Sequence, residues 1–115
     1  MSSRAWHARV RDILDAIAEI RAFTENMDFE RFQRDLKTVR AVEMNLVVIG
    51  EAANSIPDDV QEAHPEIPWQ LIRGMRNRLI HAYFAFDDSI LWETAKTDIP
   101  NLEALLPEMS ETDID

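Results

Sequence analysis

Apolar side chains recur at steps of three and four along two long stretches of this chain, and this periodicity constrains the fold more than any other feature. In residues 4–25 neither glycine nor proline interrupts the pattern. A second stretch runs from Phe29 to Ile56 and keeps the same period for about seven turns. Each stretch predicts an amphipathic helix with one face in a shared core.

Proline and aspartate mark the remaining helix boundaries. Asp28 is a predicted N-cap because its carboxylate can accept from the free amides of the next turn, and Pro57 ends the second helix. Residues 57–68 form a connector in which 58–63 can make one short helix. A third helix follows from Pro68, and the aspartate at position 87 or 88 caps a fourth.

Pro100 suits the first turn of a short fifth helix over residues 101–106. The sequence therefore predicts an all-α fold, an antiparallel four-helix bundle with a short fifth helix. Residues 1–107 are expected to form a single helical domain. The acidic residues 108–115 are expected to form a flexible tail.

Two residues are unusual inside the second helix. Gly50 is less favourable in a helix interior than alanine by about 1 kcal/mol, and this predicts close approach of a neighbouring helix. Glu51 follows within a nearly all-apolar segment, so its carboxylate should meet a cationic partner or water.

The charge balance limits the partners. The chain has 12 Lys and Arg residues against 22 Asp and Glu residues, a net charge of -10. Two acidic segments without a basic residue lie in the connector and in the tail. This distribution argues against a broad DNA-binding surface, but it is compatible with a small RNA footprint.

The composition also bears on the compartment. The chain has no cysteine, which is typical of a reducing environment, and its N-terminus lacks the pattern of a signal peptide. No apolar run reaches the roughly 20 residues that a membrane span needs. We expect a cytoplasmic protein that does not enter the membrane.

Polar and charged residues concentrate on the third helix. With about 100° of rotation per residue, Arg76 and Tyr83 fall on one stripe, and Met75 and Leu79 fall on the opposite face. Arg76 and His81 are five residues apart and do not share a face. The long side chain of arginine can bridge part of the gap, and a second copy of the helix across a two-fold axis would close the rest. We therefore expect a homodimer. The candidate site residues are Arg73, Arg76, Asn77, Arg78, His81 and Tyr83.

These side chains suit cleavage of an RNA phosphodiester without a metal or a cofactor. Histidine can act as general base or acid at the 2'-hydroxyl, and arginine offers a fork of donors to the phosphate. Asn77 can orient His81 or a phosphate oxygen, and Tyr83 offers a hydroxyl or a stacking surface. No metal site is predicted, since the histidines lack a paired spacing. A solvated salt-bridge face is the commoner use of such residues.

The motif RNRLIHAYF, residues 76–84, resembles the RxxxxHxY motif of the HepT family, ribonuclease toxins with a HEPN domain. The resemblance extends over nearly the whole chain. It includes the segments RDILDAIAEI, AVEMNLVVIGEAA, IPWQLIRGMRN and FDDSILWETAKTDIPNL.

The resemblance implies a HEPN-like bundle that dimerises and places two motifs at a shared cleft. It implies metal-independent RNA cleavage by Arg76 and His81. It also implies a partner, a minimal nucleotidyltransferase antitoxin that transfers AMP from ATP to Tyr83 and so neutralises the toxin. Two other interpretations remain: a non-catalytic module that binds a nucleotide or a nucleotidyltransferase, and a purely structural helical dimer.

Overall fold

The structure is a computed structural model that describes the backbone of residues 3–81 and 87–112. Within these residues every regular element is helical, which confirms the predicted all-α bundle. None of the helices described is both long and apolar enough to span a membrane. The α-helices are α1 (Ser3–Thr24), α2 (Phe29–Arg34), α3 (Leu36–Asn54), α4 (Asp58–Ala63), α5 (Trp69–His81), α6 (Asp88–Glu93) and α7 (Ile99–Thr112).

Helix α3 lies at the centre of the bundle and packs against both α1 and α5. The short helices α2 and α6 also contact α3, and α7 packs on α1. The core contains the predicted stripes of the two long helices, because burying apolar area is the main favourable term in folding. Fully buried members of these stripes include Val10, Ile13, Ile17, Val42, Leu46 and Ile49.

The prediction of one continuous second helix is wrong, because the helix is interrupted at Asp35, between α2 and α3. Asp35 leaves the helical conformation, with φ -100° and ψ 87°, and its carboxylate accepts from the amide of Thr38 at 3.1 Å. The same geometry confirms Asp28 as the cap of α2, where the carboxylate accepts from the amide of Arg31 at 2.8 Å. Leu36, which the pattern assigned to the core, is 62% exposed.

The last helix also differs from the prediction of a short helix over residues 101–106. A π-helical turn, Thr94–Asp98, joins α6 to α7, so that the two run on without a break. Pro100 has no amide to donate and its ring crowds the preceding turn, and the wider turn, in which the amide of Ile99 donates to the carbonyl of Thr94, accommodates it. The flexibility of residues 108–115 stays a prediction.

Two buried side chains hold the end of α3 against the start of α5. The amide of Gln61, on the confirmed short helix α4, donates to the carbonyls of Ala53 at 3.1 Å and Ile56 at 2.9 Å. The indole nitrogen of Trp69 donates to the carbonyl of His64 at 3.0 Å. These bonds satisfy polar groups that would otherwise be buried unpaired. They also fix the relation of α5 to α3.

Candidate functional site

The site is built where α3 and α5 come closest. A Cβ atom placed on Gly50 would lie 3.2 Å from the carbonyl oxygen of Ile72 and 3.3 Å from Cα of Arg76, and it would overlap the Cβ of Arg76. Only glycine lets two helix backbones approach in this way. The predicted close approach at Gly50 is confirmed, and the neighbour is the helix that carries the arginine motif.

A cavity of about 220 Å³ opens beside this contact. Polar and charged side chains from both helices surround it. Helix α3 contributes Gly50, Glu51 and Asn54, and helix α5 contributes Arg73, Arg76 and Asn77. The structure thus brings together three of the predicted site residues with a set from α3.

The guanidinium of Arg76 is held at two of its nitrogens. Its buried Nε forms an ion pair with Oε1 of Glu51, although this contact lacks the angle of a hydrogen bond. Its Nη1 donates to Oδ1 of Asn77 at 3.0 Å. Glu51 therefore has the cationic partner that its place in an apolar segment predicted.

The other predicted residues lie at the edge of the described part of the chain. Arg78 is in α5 and His81 is its last residue, but the structure does not describe their side chains. Tyr83 lies outside the described residues. On the helix, five residues separate Arg76 from His81, which corresponds to a rise of about 7.5 Å and to different faces.

A larger open groove of about 830 Å³ adjoins this cavity along the start of α5, and Arg73 lines both. Its other charged members, Asp58 and Glu62, are acidic. Because like charges repel a phosphate backbone, this groove suits RNA less well than the smaller cavity does.

The small cavity can bind and polarise an anion. Arginine presents planar N–H donors that match two phosphate oxygens, and amide side chains such as Asn54 and Asn77 add neutral donors. Within the described residues, no group of three or more His, Asp or Glu side chains is placed to hold a metal ion.

Comparison with known proteins shows the family of the chain. A family model described as "Ribonuclease HepT-like" matches residues 13–109, most of the chain. The chain belongs to the HepT-like ribonuclease family.

Relatives of this HepT-like chain are similar over most of their own length. A Thermococcus cleftensis protein named "Probable ribonuclease HepT" is 49% identical over 82% of this chain and 86% of its own. A Methanocaldococcus jannaschii protein named "Putative RNase MJ1216" is 43% identical over 90% of this chain and 85% of its own. No solved structure matches.

The predicted site residues that line the cavity all lie on α5, and the lining residues on α3 were not among those predicted. Glu51 and Asn54 were not predicted as site residues of this HepT-like protein. A signal for Glu51 was present, because a glycine and then a carboxylate interrupt an apolar helix. Nothing in the local pattern distinguishes Asn54, which is an ordinary residue near the end of a helix.

Proposed function

We propose that this protein is a metal-independent endoribonuclease and the toxin of a HEPN/nucleotidyltransferase toxin–antitoxin pair. The observation that carries the proposal is Arg76 in a polar cavity of a HepT-like chain, with its guanidinium held between Glu51 and Asn77. A positioned guanidinium is the group that a phosphate gaining negative charge requires.

In the proposed reaction the 2'-oxygen of RNA attacks the adjacent phosphorus and the bond from phosphorus to the 5'-oxygen breaks. The reaction removes the proton of the 2'-hydroxyl and adds one to the departing 5'-oxygen. His81 carries out one of these transfers as general base or acid, and water carries out the other. Arg76 stabilises the charge on the non-bridging oxygens, while Arg73, Asn77 and Arg78 support the RNA backbone. No step requires a bound metal or cofactor.

A second copy of the chain supports this chemistry, since positions 76 and 81 fall on different faces of an ideal helix. Helix α3 exposes Met44 and Val48, two turns and one turn before Glu51, and this apolar surface lies next to the site. An isologous dimer packed on it would place two motifs at one cleft.

The first experiment measures cleavage of RNA, with and without EDTA, by wild type, Arg76→Ala and His81→Ala. Wild type should cleave, and each variant should lose at least about a hundredfold in rate, as expected for general acid–base and charge-stabilising groups. Intact RNA after incubation with dimeric, unmodified wild-type protein would contradict the proposal. Activity that EDTA abolishes would contradict metal independence alone.

Mixing the two inactive variants tests the shared site. If each site combines Arg76 of one protomer with His81 of the other, a mixed dimer regains one complete site and part of the activity. If both residues act within one protomer, the mixture stays inactive. Sedimentation of the same samples reports whether they are dimers.

Control by AMP transfer is the remaining part of the proposal. The Tyr83 oxygen would attack the α-phosphorus of ATP on the nucleotidyltransferase and pyrophosphate would leave. Tyr83 shares a helical stripe with Arg76 if α5 is extended, so the added phosphate would lie near the arginine. Mass spectrometry after co-expression with a minimal nucleotidyltransferase antitoxin should find AMP on Tyr83, and Tyr83→Phe should remain unmodified and toxic.

One observation favours a second candidate, a non-catalytic module that binds a nucleotide or the nucleotidyltransferase. Arg76 is already paired with a carboxylate, and the chain as a whole is acidic. In that case calorimetry would detect ATP binding that Arg76→Ala weakens, whereas wild type would leave RNA intact.

A further inference from the structure

Among the described residues that line the cavity, Glu51 is the one carboxylate, and it contacts Arg76, which stabilises charge in the proposed reaction. Its side chain is 52% exposed, so solvent alone could hydrate it, yet it contacts Nε of Arg76 across the boundary between α3 and α5. The contact joins two elements that are far apart in sequence. It is therefore a feature of the folded site and not of one helix.

The preceding residue brings the two helices together at this contact. Gly50 brings the backbone of α3 against the first atoms of Arg76, so Glu51 reaches the guanidinium from the adjacent position on the same helix. A larger residue at position 50 would move the two helices apart. The close approach and the ion pair thus act on the same arginine.

The two contacts of the guanidinium leave one edge for a ligand. Glu51 pairs with Nε, Asn77 accepts from Nη1, and Nη2 donates no hydrogen bond to a described residue. A phosphate can then bind end-on, through Nη2 and the second hydrogen of Nη1, without displacing Glu51. Arginine's planar fork is suited to this mode.

We propose that Glu51 is a positioning residue that holds Arg76 in the orientation that stabilises the transition state. This inference rests on the proposed function, because it assigns Glu51 an effect on the same reaction. A misplacement of about 1 Å in a reacting group can reduce a rate by a hundredfold. Loss of the ion pair should therefore lower kcat. It should not raise KM, because the charge of Glu51 repels the substrate phosphate.

The test compares Glu51→Gln with Glu43→Gln, a matched control on the same helix. Glu43 pairs with Arg40 at 2.8 Å and does not line the cavity. On one RNA substrate, Glu51→Gln should lower kcat about tenfold with an equal or lower KM. Glu43→Gln should leave both constants unchanged. An unchanged kcat in Glu51→Gln would overturn the inference, and so would a raised kcat, which would make Glu51 a competitor of the phosphate.

A second measurement does not depend on catalysis. The Nε–H resonance of Arg76, assigned by its loss in Arg76→Lys, should move or broaden in Glu51→Gln and stay in place in Glu43→Gln. If wild type cleaves no RNA, the proposed function fails while this resonance still tests the contact. If wild type cleaves and the resonance does not respond to Glu51→Gln, the positioning role fails alone.

Discussion

The two glycines of the chain form a matched pair for testing how α3 and α5 meet. Gly50 and Gly74 are both inside helices, but their surroundings differ. A methyl group on Gly50 would overlap Arg76, whereas a methyl group on Gly74 would find no described atom within 4 Å. Substitution by alanine therefore changes helix propensity equally at both positions and packing at only one.

The magnitude follows from this difference. Alanine is favoured over glycine in a helix interior by about 1 kcal/mol, so Gly74→Ala should stabilise the protein by about that amount. At Gly50 the same gain is opposed by overpacking, which typically costs about 1–3 kcal/mol. The gain in helix propensity is the same in both variants, so it cancels when their free energies of unfolding are compared. Gly50→Ala should therefore be less stable than Gly74→Ala by about 1–3 kcal/mol.

Urea denaturation and thermal unfolding measure this difference. For a chain of this size about 1 kcal/mol corresponds to about 4 °C in Tm, so the two variants should differ by about 4–12 °C. Because the methyl group displaces the Cβ of Arg76, Gly50→Ala should also lose RNA cleavage. Equal stabilisation by both substitutions would refute the close contact between α3 and α5.

Two further predictions concern the parts that orient the site. Gln61→Leu removes the side-chain donor shared by the carbonyls of Ala53 and Ile56, of which Ala53 still accepts from the amide of Ile56 at 3.2 Å. The loss for Ile56 should destabilise the protein by about 1–3 kcal/mol in urea denaturation, whereas Gln70→Leu at an exposed position should have little effect. The backbone hydrogen bond from Thr38 lowers the pKa of Asp35 below 3.8, so the unfolded chain takes up the proton first as pH falls. The stability that Asp35 contributes is fully present above the pKa of the unfolded chain and is lost as pH falls through the pKa of the folded chain. Over this acidic range, Tm should decline less steeply in Asp35→Asn than in wild type.

The features of the fold that could be predicted are those that depend on short-range sequence patterns. The apolar stripes placed the core of α1 and α3, and Asp28 was recognised as a cap because a carboxylate preceded an apolar run. The break at Asp35 was missed because Phe32 and Val39, on either side of it, are both buried and keep the helical period across the interruption. Periodicity reports which face is buried, and it does not report whether the backbone is continuous.

The site was predicted only in part for a related reason. The sequence indicated that Gly50 would meet another helix and that Glu51 would meet a cation, but helical periodicity cannot say which helix or which cation. The helix is α5 and the cation is Arg76 on that helix. Both depend on how α4 and its hydrogen bonds position α5 against α3. The connector fixes which helices pack against each other. Its local sequence predicts that Gln61 is exposed, but Gln61 is buried.

The acidity of the chain leads to a last prediction, on the salt dependence of RNA binding. Arg73 and Arg76 line the cavity, Arg78 follows them in the sequence of α5, and the connector before α5 is acidic. For single strands the logarithm of the binding constant falls with the logarithm of salt concentration by about 0.7 per phosphate neutralised. Three arginines of one protomer then give a slope of about -2, and six arginines of a dimer give about -4.

This slope distinguishes one-protomer from two-protomer binding without a structure of the complex. It should be measured with His81→Ala, which leaves the arginines in place while cleavage is suppressed. A slope near -4 whose magnitude decreases by about 1.4 in Arg73→Ala indicates RNA that spans both motifs, because each protomer of the dimer then loses one contact worth about 0.7. A slope near -2 that falls by about 0.7 indicates that each protomer binds its own RNA, and the shared cleft would then be wrong. A slope near zero would mean that an acidic HepT-like chain does not bind RNA through these arginines at all.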